Sequence, residues 1–166
     1  MIIASITHPP RWPRSTLQVC RLHPEAILPK RALEFSVGYD ISAHMLTESG
    51  RPSSRIIPAQ STSMIPTALV CIPPEGGFLL VCSRSGLASR GVFVANAPGV
   101  VDPDYTGEVK VLLVNTSFES HHVCHGDRIA QLLILPLPFL REVEEITVAD
   151  LPKTPRGASG FGSTGT

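Results

Sequence analysis

Apolar residues along this chain occur in short runs, and proline or glycine separates most of the runs. Leu17–Leu22 alternates apolar and polar side chains, which predicts a strand with one buried face. Phe78–Cys82 is continuously apolar and predicts a strand buried on both faces, and Arg128–Leu140 predicts a long apolar strand that ends at prolines. Many short strands at close spacing predict an all-β domain, closed into a barrel or folded as a sandwich.

The segments between these runs predict further short elements. Asp40 lies in a predicted short strand, and Arg55–Pro74 has room for about two or three strands with proline at their ends. Arg141–Asp150 carries charges on one face, as an edge strand does, and Asn115–Asp127 predicts a turn region. Ser83–Gly91 is the one predicted helix, about two turns long, because serine precedes a helix-forming stretch and the glycine can end it.

Asn96–Gly107, which reads NAPGVVDPDYTG, lies between the β-like runs Gly91–Ala95 and Glu108–Val114. Its proline and glycine residues predict a hairpin turn. Two adjacent valines before Asp102 are unusual in an ordinary turn, which needs no apolar side chains. The pattern predicts a binding surface in which a rigid backbone presents Asp102.

Length and composition predict one domain with two flanking segments. A chain of 166 residues fits a single domain. We assign residues 1–15 to an N-terminal extension, residues 16–150 to the β domain, and residues 151–166 to a flexible Gly-rich C-terminal tail. The 14 basic and 14 acidic residues cancel, so the composition predicts neither nucleic-acid binding nor binding to an acidic membrane surface.

Cysteine usage and hydropathy indicate the compartment. The four cysteines are irregularly spaced and form no CxxC pair, which favours free thiols in a reducing, intracellular environment, most simply the cytoplasm. A nuclear or viral origin stays open. No apolar stretch reaches the roughly 18 residues of a membrane span, and the apolar run at the N-terminus is too short for a signal peptide. We therefore expect a soluble protein.

Two stretches carry groups that bind phosphate. The helix start in Ser83–Ala88 offers free backbone N–H groups beside the side chains of Arg84 and Ser85. The tail Arg156–Gly165 combines exposed backbone N–H groups, an arginine fork and a lone aromatic, Phe161, that can cover a planar base. Taken alone, the first pattern is typical of an ordinary helix cap and the second of a disordered tail.

Other polar residues are candidates for the same site. Gln131 lies in an otherwise apolar strand, so its amide needs a buried partner. Asp40 and Asp102 lie beside glycine-bearing turns, and carboxylates near a polyphosphate indicate Mg²⁺, bound directly or through its waters. The histidines and the cysteine between His121 and His125 fit no standard zinc spacing, and we predict that they lie in a solvated turn.

Five motifs in order give a specific resemblance: VGYDISA, SRSGLA, NAPGVVDPDYTGEV, GDRIAQ and RGASGFGSTG. The chain resembles the trimeric dUTPase family, whose members hydrolyse dUTP to dUMP and pyrophosphate, limiting uracil in DNA and supplying dUMP for dTMP synthesis. The resemblance implies a jelly-roll-like β-barrel and a homotrimer with shared active sites. Each site takes the first, second and fourth motifs from one chain, the third from another and the tail from the remaining chain.

The resemblance also implies a role for each matching residue. Asp102 activates the water that attacks the α-phosphorus, because an ionised aspartate can accept the water's proton. Asp40 is linked to the Mg²⁺ shell through water. The triphosphate is held by residues of the second, fourth and fifth motifs: Arg84, Ser85, Gly86, Gln131, Arg156, Gly162 and Ser163. The nucleoside is held by Asn96, Val100, Val101, Tyr105, Lys110 and Phe161, with the tyrosine under the sugar and the phenylalanine stacked on uracil.

Two positions depart from the family pattern, since Ser83 replaces a usual proline and Thr106 a common arginine. Two other functions stay open. A dCTP deaminase-like enzyme would share the fold but carry a catalytic glutamate in place of the pairing of Asp102 with Tyr105. A dUTP-binding regulatory or interaction module would bind a partner through the N-terminal extension or Glu48–Arg55.

Overall fold

The computed structural model describes residues 16–137 and 143–154. Its strands are β1 (Gln18–Arg21), β2 (Tyr39–Ser42), β3 (Ser54–Ile57), β4 (Ser61–Ile65), β5 (Leu69–Ile72), β6 (Gly77–Cys82), β7 (Val92–Val94), β8 (Gly99–Val101), β9 (Val111–Asn115), β10 (His121–Cys124) and β11 (Arg128–Pro136). One α-helix, α1 (Ser85–Ala88), and one 3-10 helix (Val148–Asp150) complete the regular structure of these residues. The predicted N-terminal extension and residues 155–166 of the predicted tail lie outside the described residues.

The strands form small antiparallel sheets. The largest has the order β2–β11–β6–β8 and the next β4–β9–β7, while β1 pairs with β5 and β3 with β10. Neighbouring strands are mostly distant in sequence, so the chain crosses repeatedly between sheets, as in a jelly roll. Pro58, Pro66 and Pro73 each follow directly after a strand, where a missing N–H costs no ladder hydrogen bond. The predicted all-β, jelly-roll-like fold is confirmed.

The core is built from side chains at alternate strand positions. In β6, Leu79 and Val81 are buried, while Phe78 and Leu80 are half-buried. The strand therefore packs one face fully against the core, and the prediction that both faces are buried is wrong, because an antiparallel sheet needs only one covered face. A leucine as completely buried as Leu79 contributes roughly 1.5–3 kcal/mol by leaving water.

The predicted edge strand Arg141–Asp150 is wrong over its described part. Residues 143–147 are irregular, and the 3-10 helix follows them. Asp150 Oδ2 accepts hydrogen bonds from the backbone N–H of Thr147 at 3.2 Å and from its hydroxyl at 2.7 Å. Such local bonds from a side chain to nearby groups compete with strand pairing, and the charge pattern alone could not show this.

The predicted turn region Asn115–Asp127 contains a strand instead of being turn throughout. β10 pairs with β3 in antiparallel register, with His121 opposite Ile57 and Cys124 opposite Ser54. Val123 is the buried side chain of β10. A single apolar residue among polar neighbours gives no alternating pattern, so the sequence alone did not indicate this strand.

The helix is shorter than predicted, a single turn rather than two. Its N-cap residue is Arg84, which makes no side-chain capping bond, and Gly91 adopts a φ of +77° that ends the segment, as expected. The hydroxyl of Ser83 accepts a hydrogen bond from the backbone N–H of Val94 at 3.0 Å. The serine that replaces proline thus connects β7 to the helix start and does not cap the helix.

All four cysteines lie within the described residues and are free thiols. Burial raises the pKa of Cys71 to about 11, so this thiol packs as a small apolar side chain. Among the helices that the structure describes, none is long and apolar enough to cross a membrane.

Candidate active site

The predicted hairpin around Asp102 is confirmed at its base and differs at its tip. β7 and β9 pair antiparallel, with Val92 opposite Asn115. Between them the chain forms β8, which pairs with β6 of the other sheet, with Val101 opposite Leu79. Val101 is buried and Val100 is 61% exposed. The two adjacent valines are therefore explained by a strand that ends directly before Asp102.

A pocket of about 470 Å³ lies against this segment, and we call it the hairpin pocket. Its lining includes all six described residues that were predicted to hold the nucleoside or activate water: Asn96, Val100, Val101, Asp102, Tyr105 and Lys110. The volume lies in the range of small-molecule sites in proteins. Asp102 is exposed at the end of β8, so water has access to its carboxylate.

Tyr105 is fixed across the hairpin by two features. Its hydroxyl donates a hydrogen bond to the backbone carbonyl of Glu108 at 3.0 Å, and its backbone N–H donates to the carbonyl of Asp102 at 3.1 Å. A methyl group at Gly107 would lie 2.6 Å from the tyrosine ring, closer than any side chain tolerates. The glycine is therefore required for the ring to lie where it does.

A second pocket of about 380 Å³, which we call the arginine pocket, contains the predicted phosphate ligands. Its lining brings together residues from the first, second and fourth motifs: Gly38, Asp40, Arg84, Ser85, Gly86 and Gln131. These residues come from the segment around β2, from the start of α1 and from β11. The structure thus places every described residue of the predicted phosphate site around one cavity.

Asp40 holds the guanidinium group of Arg84 in this pocket. Arg84 Nε donates to Asp40 Oδ1 at 2.7 Å and its Nη2 to Oδ2 at 3.4 Å. Arg128 Nη1 donates to Oδ2 at 3.1 Å, and the Arg128 carbonyl accepts from Arg84 Nη1 at 3.2 Å. A guanidinium group held at all three of its nitrogens has little freedom, and each Nη keeps one further N–H that could bind a phosphate. Sequence reasoning missed Arg128, because its partner lies 88 residues away.

Gln131 has a hydrogen-bond partner, as its strand position requires, and both residues are half-buried. Its Nε2 donates to the backbone carbonyl of Ser83 at 3.0 Å, which ties β11 to the start of the helix. A methyl group at Gly38 would collide with Gln131 Oε1, so the glycine allows the amide to lie against the first motif. The predicted need for a partner is confirmed.

The family assignment rests on a match over nearly the whole chain. A family model described as dUTPase matches residues 24–165, which include both pockets. The chain belongs to the dUTPase family. The resemblance predicted from the five motifs is confirmed.

Curated members of the dUTPase family resemble the chain over most of its length. A deoxyuridine 5'-triphosphate nucleotidohydrolase of Fowl adenovirus A serotype 1 is 42% identical over 154 residues, which cover 92% of this chain and 79% of the relative. The enzyme of the same name from Solanum lycopersicum is 37% identical over 163 residues, which cover 98% of this chain and 89% of the relative. Relatives from a virus and a plant are thus similar to this chain over most of its length.

Solved dUTPase structures share the fold. A variant of the Staphylococcus bacteriophage 80alpha dUTPase with dUpNHpp superposes with a TM-score of 0.73 at 27% identity, covering 91% of this chain and 99% of that one. A variant dUTPase from phage phi11 of S. aureus superposes with a TM-score of 0.65 at 25% identity, covering 79% of this chain and 98% of that one. The structure of that variant describes the coordination of a structural Mg(II) ion.

In the described part of the chain, no set of side chains forms a complete binding site for the predicted Mg²⁺. No group of three or more histidine, cysteine, aspartate or glutamate side chains is arranged there to hold an ion. Both oxygens of Asp40 accept hydrogen bonds from guanidinium groups, so this carboxylate does not fit direct ligation of Mg²⁺. Its role in the metal's water shell stays a prediction.

Three histidine rings lie close together, and His44 is the middle one. The His44 ring centroid lies 4.8 Å from that of His23 and 5.2 Å from that of His125. Its Nδ1 is buried and has no hydrogen-bond partner among the described residues. Burial lowers the pKa of His44 below the ordinary 6.5, and the two neighbouring histidines lower it further against the opposing effect of Glu108 and Glu25.

We predict that this cluster makes the protein less stable in mild acid. Because the folded state binds a proton at His44 less readily than the unfolded state, the free energy of unfolding falls as the pH drops below about 6.5. The fall continues until the pH reaches the lowered pKa of the folded protein. Urea unfolding of the His44→Gln variant should show a shallower fall between pH 7 and pH 5.

His122→Gln is the matched control, because His122 is exposed on β10. This variant should change the slope less than His44→Gln does, because His122 is only the smallest of the influences that lower the pKa of His121. Part of the slope should persist in His44→Gln, since burial and Arg90 also lower the pKa of His121. Equal slopes for His44→Gln and the natural protein would show that the cluster does not control acid stability.

Proposed function

We propose that this protein is a dUTP diphosphatase that hydrolyses dUTP to dUMP and pyrophosphate. The observation that carries the proposal is the hairpin pocket, where Asp102 and Tyr105, in the turn that follows β8, line the same cavity as the exposed side chain of Val100. The arginine pocket adds the cationic group that a triphosphate needs. The names of the family's members support the same activity.

In the proposed reaction, Asp102 takes a proton from a water molecule as the water oxygen attacks the α-phosphorus. The bond between the α-phosphorus and the oxygen that leads to the β-phosphorus breaks, and pyrophosphate leaves with that oxygen. Arg84 neutralises charge on the phosphates, and the Asp40 carboxylate keeps its guanidinium aimed into the pocket. Mg²⁺ bound to the triphosphate would neutralise phosphate charge, and Asp40 would contact it through water.

Base selectivity is proposed to come from the backbone of β8. This strand is at the edge of its sheet among the described residues, so the backbone groups on its outer side are free of sheet pairing. Uracil presents an acceptor, a donor and an acceptor along one edge, and backbone N–H and C=O groups near Asn96 and Val100 can match that order. Tyr105 under the sugar would leave no room for the 2′-hydroxyl of a ribonucleotide.

We propose that the complete site forms in a homotrimer. The hairpin pocket and the arginine pocket share no lining residue within the described chain. One nucleotide must contact both sets of residues, which favours a site in which each set comes from a different subunit. The tail residues Arg156, Phe161, Gly162 and Ser163 lie outside the described residues, and we propose that they close the site. Free cysteines favour a reducing compartment, and we propose the cytoplasm.

Pyrophosphate release from dUTP, dCTP, dTTP and UTP in the presence of Mg²⁺ tests the function. We expect turnover of dUTP and at least about 100-fold lower kcat/KM for each of the others. The edge of cytosine mismatches a site built to bond uracil, the methyl group of thymine would collide with the backbone at C5, and Tyr105 would leave no room for the 2′-hydroxyl of UTP. Comparable turnover of dCTP or dTTP would contradict the selectivity argument. Ammonia release from dCTP would indicate the deaminase-like alternative, and dUTP binding without turnover would indicate the regulatory module.

A further inference from the structure

The bend between β4 and β5, which we define as Pro66–Ala68, forms a small anion-binding concavity. Ala68 has a φ of +52°, and the backbone N–H groups of Thr67 and Ala68 converge on one point. Consecutive N–H groups in such a left-handed bend commonly bind an anion. Here the anion is the carboxylate of Glu108, whose Oε1 accepts both bonds, at 3.1 Å and 2.8 Å.

Other bonds hold the same bend independently of the carboxylate. The Thr67 hydroxyl donates to the carbonyl of Val109 at 2.6 Å, and the N–H of Val109 donates to the carbonyl of Leu69 at 2.8 Å. Thr67 is buried at 1% exposure. A change at the Glu108 side chain therefore leaves the bend tied to Val109, and the oxygen of an amide can still accept from both N–H groups.

The second oxygen of Glu108 faces the hairpin pocket. Oε2 lies 3.5 Å from the ammonium of Lys110, and both residues line that pocket. The Lys110 side chain is 49% exposed, while that of Glu108 is 20% exposed and fixed by the bend. A lysine has a long side chain with many rotamers, so an ion pair with a fixed carboxylate restricts where its charge lies.

We propose that Glu108 is a positioning residue that directs Lys110 toward the base side of the bound nucleotide. The inference rests on the proposed function and on the nucleoside contact that the resemblance to dUTPases implies for Lys110. Glu108 acts through the lysine, because its own oxygens are occupied by the bend and by the ammonium group. The pocket is thus organised in advance of binding, which lowers the entropy lost when the nucleotide binds.

The test compares Glu108→Gln, Lys110→Met and the double variant in dUTP turnover and in calorimetric binding of dUpNHpp. We expect Glu108→Gln to raise KM about three- to tenfold and leave kcat within about twofold, as loss of one charge-assisted contact would. Lys110→Met should act similarly, and the double variant should be no worse than either single variant. Glu75→Gln, in an exposed turn, removes the same charge and should change nothing.

The outcomes separate the two proposals. If Glu108→Gln lowers the melting temperature but leaves KM and dUpNHpp affinity unchanged, Glu108 is merely structural and the inference is wrong. Additive losses in the double variant would also overturn it, because independent residues add. If dUTP is bound but not hydrolysed, the proposed function fails, whereas a shared, non-additive loss of dUpNHpp affinity would still support the positioning role. An unmodified protein that binds neither nucleotide would overturn both.

Discussion

Replacing Asp102 with asparagine is expected to remove nearly all dUTP turnover while nucleotide binding is retained. Asparagine has the same shape but cannot accept a proton from the attacking water. General-base catalysis typically contributes about 10²–10⁴-fold, so kcat should fall by at least that lower limit. Asp102 is exposed at the end of β8, and its side chain makes no hydrogen bond among the described residues, so folding should be little affected. Single-turnover kinetics and calorimetry with dUpNHpp measure the two effects separately.

Asp104→Asn provides the matched control for this prediction. Asp104 is exposed two residues further along the same hairpin and does not line the hairpin pocket. Its replacement removes an equal charge and should leave kcat within about threefold, as surface changes away from a reacting group usually do. If Asp102→Asn kept more than about a tenth of the natural rate, a barrier change below ~1.4 kcal/mol, the assigned base would be wrong.

The sequence predicted which residues belong to the site better than it predicted which strands and side chains pair with one another. The strands on both sides of Asp102 have regular patterns of valine and leucine, and each motif residue is identified by its own neighbours. β8 could not be foreseen as a separate strand, because its three residues pair with β6, about 20 positions earlier along the chain. Short strands of this kind depend on tertiary pairing, and their own sequence carries little information.

Long-range polar contacts were the least predictable feature. Asp40 pairs with Arg84 and Arg128, at sequence separations of 44 and 88 residues. Glu108 binds the backbone N–H of Ala68, which lies 40 residues earlier in the chain. Nothing near these residues in sequence indicates the partner. The sequence identified Asp40 through its resemblance to a metal-linked position, whereas the structure shows a carboxylate that holds two guanidinium groups. The two descriptions are compatible if the metal is reached through water.

Replacing Arg84 with glutamine is expected to lower kcat/KM for dUTP by about 30- to 100-fold. A hydrogen bond between a guanidinium group and a phosphate is worth roughly 1.5–3 kcal/mol, and glutamine lacks both the charge and the fork. The variant leaves Asp40 paired with Arg128 at 3.1 Å, so the carboxylate is not left without a cation. The Arg84 and Asp40 side chains are only 25% and 16% exposed, so loss of their ion pair should also lower stability, in part offset by the pair that Asp40 keeps with Arg128. Steady-state kinetics and thermal unfolding give the two quantities.

Arg90→Gln is the control that makes this prediction specific. Arg90 lies just after the same helix and donates from Nε to the Gly86 carbonyl at 3.2 Å, but it does not line the arginine pocket. Both variants change the net charge by one unit and both disturb one turn of helix. If only the positive potential matters, dUTP hydrolysis should weaken equally in the two variants. If the Arg84 guanidinium, held by Asp40 at 2.7 Å, contacts the phosphates, only Arg84→Gln should show a large loss of kcat/KM. Equal losses would therefore show that Arg84 acts through charge at a distance and not through contact with the phosphates.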